Sequence, residues 1–328
     1  MTERPAIGHI GVFTSGGDSP GMNAAIRAVV RAACAKGLRV SGILGGYDGL
    51  VHDKLRSLGP RDVSGIIQHG GTILRSARSE AFRTGEGRSQ AFATMKRHGI
   101  NALVAIGGDG TFTGAHLFYK EHGVPVIGLP GTIDNDLTGT DRTIGFDTAV
   151  NTAMYAIDKI RDTASSHERL FFVEVMGRDT GFIALACAVA SGAEYVMLPE
   201  VPQRIEDLIA ALAKAEASKS SSIVVVAEGD EEGNAFEIAR KVKEHHPQYE
   251  MRVTVLGHLQ RGGSPTVIDR ILASRLGVAA VDQLLAGAVD SMLGVVAEKV
   301  VVTQFSEAIG KSKAIDRELL EILPILAT

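Results

Sequence analysis

The 328-residue sequence is poor in cysteine, in charge of one sign and in long apolar runs, and each shortage excludes a class of protein. Its two cysteines, Cys34 and Cys187, lie in apolar, helix-like runs without a CxxC partner, which favours packed thiols in a reducing cytosol over metal ligands or a disulfide. A formal net charge of −4 argues against a nucleic-acid-binding protein. No run of about 18 or more apolar residues occurs, and the short apolar run near the N-terminus leads straight into a glycine loop. We therefore expect a cytoplasmic protein with neither a membrane span nor a secretory signal.

Two common nucleotide-binding motifs are also missing. Residues Gly310-Lys311-Ser312 resemble the end of a Walker A motif, but Phe305 stands at the position of its first glycine, which indicates a surface turn instead. The loop at residues 14–21 reads TSGGDSPG and lacks the spacing of GxGxxG, which argues against an NAD(P) oxidoreductase. No low-complexity linker or short-period repeat is present, so composition alone marks no domain boundary.

Short β-rich runs alternate with helical patterns along the chain. The predicted strands are residues 7–13, 102–106, 124–129, 170–175, 195–198, 223–227 and 253–256. Most of these runs are almost continuously apolar, as expected for parallel strands that are covered on both faces. The alternation predicts a doubly wound α/β architecture.

Two glycine-rich loops each follow a predicted strand and precede a predicted helix. They are TSGGDSPG at residues 14–21 and GGDGT at residues 107–111. Glycine lets backbone N–H groups approach an anion closely, and a helix N-terminus adds a favourable partial charge. Asp109 in the second loop suits Mg²⁺, which prefers one or two carboxylates together with phosphate oxygens. The first loop alone is also compatible with a simple tight turn between strand and helix, whereas a GGDGT loop is similar to loops in several kinase families that use nucleotide phosphates.

Two carboxylates, Asp134 and Asp136, follow the predicted strand at residues 124–129 in the segment PGTIDND. The carboxyl ends of parallel strands are where α/β sheets build their sites. The segment is typical either of a polar turn with helix-capping aspartates or of a carboxylate base that frees a hydroxyl to attack a phosphoryl group. The two glycine-rich loops favour the second interpretation.

Basic side chains lie beside several predicted strand ends and glycines, where arginine suits multi-point phosphate recognition. They are Arg169, Arg178, Arg252, His258 and Arg261. Together they fit a phosphate pocket better than scattered surface charge. Glu228 ends the predicted strand at residues 223–227 and either binds a sugar hydroxyl or simply begins the acidic loop at residues 228–232.

Distinctive segments occur in order along nearly the whole chain: TSGGDSPGMNAAIR, GGDGT, PGTIDNDLTGTD, TIGFDTA, SSHER, VEVMGR and VLGHLQRGGSPTVIDRILASRLG. Together they resemble the ATP-dependent 6-phosphofructokinases of the bacterial type. The resemblance implies a glycolytic kinase that transfers the γ-phosphoryl group of ATP to the 1-hydroxyl of fructose 6-phosphate, giving fructose 1,6-bisphosphate and ADP. It further implies Mg²⁺ as cofactor, ATP as co-substrate and a homotetramer with sites shared between subunits.

The fold implied by the resemblance consists of two Rossmann-like, doubly wound α/β lobes with the active site in the cleft between them. Both lobes would be discontinuous in sequence. The ATP-binding lobe would comprise residues 1–144 and 257–309, and the fructose 6-phosphate-binding lobe residues 145–256 and 310–328.

Individual roles also follow from the resemblance. Asp134 would be the general base for the sugar 1-hydroxyl, Thr132 and Asp136 would position the reacting groups, and the Gly17 amide and Arg178 would stabilise charge on the transferring phosphoryl group.

The implied nucleotide-binding residues are Gly17, Arg78, Ser79, Gly108, Asp109, Gly110 and Thr111, with Asp109 orienting the metal. The implied sugar-phosphate residues are Thr132, Asp134, Arg169, Met176, Gly177, Arg178, Glu228, Arg252, His258 and Arg261, of which Arg169 and Arg252 would reach in from a neighbouring subunit. Ser79 stands where well-known bacterial members have an aromatic residue, so the packing of adenine is left open.

Two glycines bear on the phosphoryl donor. The related pyrophosphate-dependent enzymes carry Asp at the position of Gly110 and Lys at the position of Gly131, so the sequence favours ATP. A pyrophosphate-dependent enzyme remains the alternative. A non-catalytic sugar-phosphate sensor is less favoured, because Asp134, Asp109 and Arg178 are all present.

The effector site that the resemblance implies departs from the family pattern. The possible effector residues are Arg27, Arg31, Arg61, Arg161, Glu194 and Lys219. Pro60 and Ala217 stand where well-known members have cationic residues, which reduces the positive charge available to polyanionic effectors. We therefore expect regulation by ADP or phosphoenolpyruvate to be weak or absent.

Overall fold

The computed structural model describes residues 7–164, 169–216, 222–247 and 250–327. The predicted effector residue Lys219 and most of the SSHER segment lie outside these ranges. The strands, in chain order, are β1 (His9–Thr14), β2 (Arg39–Ile43), β3 (Leu55–Ser57), β4 (Ala102–Gly107), β5 (Val126–Thr132), β6 (Ile144–Gly145), β7 (Arg169–Val175), β8 (Tyr195–Met197), β9 (Ser222–Ala227), β10 (Glu250–Val255), β11 (Ser291–Val296) and β12 (Lys299–Gln304).

The helices alternate with these strands. They are α1 (Met22–Ala35), α2 (Tyr47–Val51), α3 (Gly85–His98), α4 (Asp109–His122), α5 (Phe146–Ala164), α6 (Phe182–Ser191), α7 (Ile205–Glu216), α8 (Ala235–His245), α9 (Val267–Leu285), α10 (Phe305–Ala308) and α11 (Arg317–Leu326). Short 3₁₀ helices lie at Ala81–Arg83 and Gly257–Arg261. In the described ranges, no helix is long and apolar enough to cross a membrane.

The chain divides into two compact units, each built from segments that are separated in sequence. Unit 1 comprises Met1–Ile133, Leu137–Asp147 and Arg261–Ser312. Unit 2 comprises Asp134–Asp136, Thr148–Gln260 and Lys313–Thr328.

Unit 1 is built on one mixed sheet in the order β12-β11-β5-β4-β1-β2-β3, with β6 paired to β5. The central pairs are parallel, and the β2–β3 and β11–β12 pairs are antiparallel. Along β4, Val104 and Ile106 join a core cluster with residues of α1 and α9, whereas Leu103 and Ala105 join a second cluster with residues of α3 and α4. Since successive strand residues point to opposite faces, helices cover both faces of the sheet. This arrangement confirms the predicted doubly wound architecture.

Unit 2 contains a four-stranded parallel sheet in the order β10-β7-β9-β8. Leu170 and Phe172 of β7 pack with Val224 and Val226 of β9 in a core that α7 and α8 complete. The strands predicted at residues 170–175, 195–198 and 223–227 are found here, each with one end shifted by one residue.

The last predicted strand differs from expectation. β10 begins at Glu250 rather than at Val253, and none of its residues is buried. Because all of its residues are half-buried or exposed, the prediction that this strand is covered on both faces is wrong. It is an edge strand that pairs with β7 alone among the described strands, and fewer elements pack on an edge strand than on a central one.

Candidate active site

The first glycine-rich loop connects β1 to α1 in unit 1. Gly16 and Gly21 have φ angles of 83° and 107°, which glycine adopts without the strain that a Cβ atom would bring. A Cβ atom at Gly17 would collide with the guanidinium of Arg261, so this arginine lies directly against the loop. The structure therefore brings together, within one unit, a predicted phosphoryl-stabilising amide and a predicted phosphate-binding arginine.

The second loop joins the first through Thr111. Gly108 precedes the first residue of α4, and the Thr111 amide donates to the Gly108 carbonyl at 2.9 Å. The Thr111 hydroxyl donates to the Ser15 carbonyl at 3.2 Å, and the Ser15 amide donates to the Ile106 carbonyl at 3.0 Å. The two loops thus form one connected structure at the carboxyl ends of β1 and β4, with exposed backbone at Gly17 and Gly110.

Asp109 is the first residue of α4 and is half-buried. Its Oδ1 atom accepts a hydrogen bond from the Gly310 amide at 2.8 Å. Among the described residues, no group of three or more His, Cys, Asp or Glu side chains could hold a metal ion by itself. A single carboxylate beside a phosphate loop is the donor set expected for Mg²⁺ that is held mainly by substrate phosphates. The residues present therefore fit the predicted cofactor.

A supporting residue that the sequence did not reveal lies behind the second loop. Buried Tyr47 donates its hydroxyl to the Thr111 carbonyl at 2.6 Å, and its ring stacks on Phe82 with centroids 3.9 Å apart. Burial raises the pKa of the Tyr47 phenol, so the hydroxyl stays a donor. The predicted nucleotide residue Ser79 is half-buried and accepts from the Phe82 amide at 3.3 Å, while Arg78 is exposed. The sequence offers one local signal that could have pointed to Tyr47: it is an aromatic residue directly after two glycines, in a chain with only 5% aromatics.

The acidic segment crosses from unit 1 to unit 2. Thr132 ends β5, and its carbonyl accepts from the Thr143 hydroxyl at 2.7 Å. Asp134 and Asp136 are half-buried on either side of Asn135, which is buried with a φ angle of 54°. Asparagine is among the few non-glycine residues that tolerate this left-handed conformation.

A tight turn after β7 carries Arg178. Arg178 is exposed and has a φ angle of 58°. Glu228 accepts the Arg178 amide at 2.7 Å and the Gly177 amide at 3.4 Å through the same Oε1 atom. The side chain of Gln260, which is 0% exposed, accepts the Met176 amide at 2.8 Å. The sequence left the role of Glu228 open; in the structure its carboxylate fixes the backbone of this turn.

Two of the remaining predicted phosphate ligands of unit 2, Arg252 and His258, are exposed. Arg252 is exposed on the edge strand β10, where it contacts Glu250 and donates to the Met251 carbonyl at 3.3 Å. His258 is exposed in the 3₁₀ helix Gly257–Arg261. Arg169 begins β7, and its side chain lies outside the described part of the structure.

The predicted effector residues fall into two groups. In unit 1, Arg31 and Arg61 line one surface pocket, and Arg27 lies one turn before Arg31 on α1. In unit 2, Arg161 donates to the Ser191 and Gly192 carbonyls at 2.8 and 3.2 Å. Buried Glu194 accepts the Ile223 amide at 2.6 Å. The second group is therefore engaged in hydrogen bonds to the backbone of unit 2.

Comparison with known proteins gives extensive matches. A sequence model described as "Phosphofructokinase" matches residues 9–284. ATP-dependent 6-phosphofructokinase 1 of Thermus thermophilus is 59% identical over 319 residues, which cover 97% of this chain and 99% of that protein. ATP-dependent 6-phosphofructokinase 2 of Bacteroides thetaiotaomicron is 56% identical over 319 residues, which cover 97% of this chain and 98% of that protein.

Solved structures match as well. Pichia pastoris phosphofructokinase in the T-state superposes with a TM-score of 0.87 at 36% identity over 99% of this chain; the match spans 37% of that longer chain. A pyrophosphate-dependent phosphofructokinase from Marinobacter aquaeolei superposes with a TM-score of 0.84 at 23% identity, covering 95% of this chain and 86% of that one. The second likeness shows a shared fold alone.

Proposed function

The chain belongs to the phosphofructokinase family, and we propose that it acts as an ATP-dependent 6-phosphofructokinase. It transfers the γ-phosphoryl group of ATP to the 1-hydroxyl of fructose 6-phosphate and releases fructose 1,6-bisphosphate and ADP. The observation that carries this proposal is the near-full-length identity of 56–59% to relatives named for this activity.

The surroundings of two glycines support ATP over pyrophosphate as the donor. A Cβ atom at Gly110 would meet nothing within 4 Å, so the space beside this exposed amide is open to a nucleotide. A Cβ atom at Gly131 would lie 2.9 Å from Ile106 Cγ2 and 3.2 Å from Met22 Cε, both in the buried core. A lysine at position 131 would therefore overpack the core, which typically costs about 1–3 kcal/mol before any cost of burying its charge.

Phosphoryl transfer relies mainly on positioning and on stabilising charge. We assign Asp134 to accept the proton of the sugar 1-hydroxyl as that oxygen attacks, with Thr132 and Asp136 positioning the reacting groups. The Gly17 amide and Arg178 stabilise the transferring group. The guanidinium of Arg261 lies against Gly17, which supports its proposed role as a phosphate ligand. Asp109 would hold Mg²⁺, which when bound would neutralise charge on the nucleotide phosphates.

We assign the two units to the two substrates. Unit 1 contains both glycine-rich loops and is the ATP-binding lobe, and unit 2 contains the Arg178 turn and Glu228 and is the fructose 6-phosphate-binding lobe. The exposed edge position of Arg252 supports its proposed role as a ligand for the 6-phosphate of a neighbouring subunit in a homotetramer. As a glycolytic enzyme, the protein would act in the cytoplasm.

The test is an aldolase-coupled assay of fructose 1,6-bisphosphate formation, with fructose 6-phosphate and Mg²⁺ and with either ATP or pyrophosphate as donor. We expect turnover with ATP and at least about 100-fold less with pyrophosphate, on the scale of discrimination set by misplaced phosphate charges. Turnover with pyrophosphate alone would favour the alternative donor, and no turnover with either would leave only the sensor hypothesis.

A further inference from the structure

Thr180 links the two segments of unit 2 to which catalytic roles are assigned. It is half-buried two residues after Arg178. Its Oγ1 atom lies 3.3 Å from the carbonyl oxygen of Asp134 and 2.9 Å from the carbonyl oxygen of Gly177. The contact with Asp134 spans 46 positions in sequence, and no motif in the sequence singled out this threonine.

The turn that Thr180 closes is held in a costly conformation. Gly177 has a φ angle of 153°, and a Cβ atom there would collide with the Thr180 carbonyl. Arg178 has a φ angle of 58°, which an arginine adopts only when its surroundings enforce it. The Thr180 amide supplies part of that enforcement by donating to the Gly177 carbonyl at 3.0 Å. Glu228 and Gln260 accept further hydrogen bonds from the amides of residues 176–178.

The acidic segment enters unit 2 for only three residues. Only Asp134–Asp136 of this stretch belong to unit 2, and the chain on either side belongs to unit 1. The position of Asp134 relative to the Arg178 turn therefore depends on the contacts that these three residues make within unit 2. The hydroxyl of Thr180 provides one such contact, at the backbone of Asp134 itself.

A threonine hydroxyl has one proton to donate, and here two carbonyl oxygens are within its reach. A shared, three-centre hydrogen bond ties both carbonyls to one atom, and so ties the backbone of Asp134 to the turn of Arg178. Removing the hydroxyl removes this connection and lets the backbone of Asp134 shift relative to the Arg178 turn.

We propose that Thr180 is a positioning residue that sets the proposed general base, Asp134, in register with the proposed phosphoryl-stabilising residue, Arg178. The proposal rests on the proposed function. Loss of the hydroxyl should lower kcat, because a displaced base stabilises the transition state less well. The proposal predicts little effect on ATP binding, because the proposed nucleotide-binding residues lie in unit 1.

The experiment compares two hydroxyl-free variants, Thr180→Ala and Thr180→Val, with the matched Thr180→Ser variant in the full-length enzyme. Alanine and serine differ only by the hydroxyl, and valine keeps the volume of threonine. Steady-state kcat and the KM values for ATP and fructose 6-phosphate are measured, together with melting temperature. We expect kcat to fall about tenfold in the alanine variant, on the scale of one lost hydrogen bond. We expect the KM for ATP to stay within about twofold and serine to restore most of the rate.

The outcomes separate this proposal from the proposed function. Wild-type enzyme that makes no fructose 1,6-bisphosphate would overturn both. Active wild-type enzyme with an equally active alanine variant would overturn the role of Thr180 alone. An equal fall of kcat in the alanine and serine variants, following their melting temperatures, would show that the methyl group matters through packing, which also contradicts the proposal. If the Thr180→Val variant fails to fold, the comparison of Thr180→Ala with Thr180→Ser still tests the role of the hydroxyl.

Discussion

The substitution Gly110→Asp tests how the second glycine-rich loop holds the nucleotide. Gly110 is the second residue of α4, is exposed, and has open space where a side chain would begin. An aspartate in the first turn of a helix interacts favourably with the helix dipole, by about 0.3–1 kcal/mol. The variant should therefore fold at least as well as the wild-type protein.

The expected loss in activity comes from repulsion between the new carboxylate and the nucleotide phosphates. At a separation of about 5 Å and an effective dielectric constant of about 20, each pair of unit charges costs about 3 kcal/mol. That free energy lowers kcat/KM for ATP by more than about 100-fold. Gly110→Asn is the matched control, since asparagine has nearly the size of aspartate without its charge.

The assay measures kcat/KM for ATP at saturating fructose 6-phosphate for both variants, with melting temperatures as the check on folding. The difference between Gly110→Asp and Gly110→Asn isolates the charge. Values of kcat/KM within about threefold of each other would show instead that the phosphates of ATP do not approach this loop.

Two further predictions concern the assembly and its regulation. Mixing inactive Asp134→Asn chains with inactive Arg252→Ala chains should restore part of the activity in hybrid oligomers if Arg252 acts on a neighbouring subunit; no recovery after proven subunit exchange would count against shared sites. Phosphoenolpyruvate should shift half-saturation by fructose 6-phosphate less than about tenfold, equivalent to about 1.4 kcal/mol of coupling. A larger shift that is lost in Arg61→Ala would show instead that Arg31 and Arg61 form a working effector pocket.

The parts of the fold that could be predicted are those whose burial follows from the sequence alone. β4 and β9 are apolar on both faces because both faces are buried. Their continuous apolar runs were therefore sufficient to predict them as strands. β12 was missed because it is an edge strand with exposed valines. β11 was missed although it is buried, since Gly294 interrupts its apolar run. That glycine is required because a Cβ atom there would collide with the Gly139 carbonyl, a neighbour distant in sequence.

Some residues of the candidate site could likewise be predicted from local sequence patterns, and others could not. The glycine-rich loops and the acidic segment are local patterns, and sequence alone placed them at the ends of strands. Tyr47, Thr180 and Gln260 act on backbone atoms that lie 46 to 84 positions away, and no local pattern encodes such contacts. The left-handed conformation of Arg178 is likewise set by surrounding hydrogen bonds rather than by its own preference.

The proposed function depends above all on Asp134 acting as the base in phosphoryl transfer to a sugar hydroxyl. The most direct measurement is kcat of the Asp134→Asn variant with saturating ATP and fructose 6-phosphate, beside its melting temperature and its KM for ATP. We expect kcat to fall by about 100-fold or more, the scale of losing a general base, with folding and the KM for ATP retained. A folded variant whose kcat is close to that of the wild-type enzyme would contradict it.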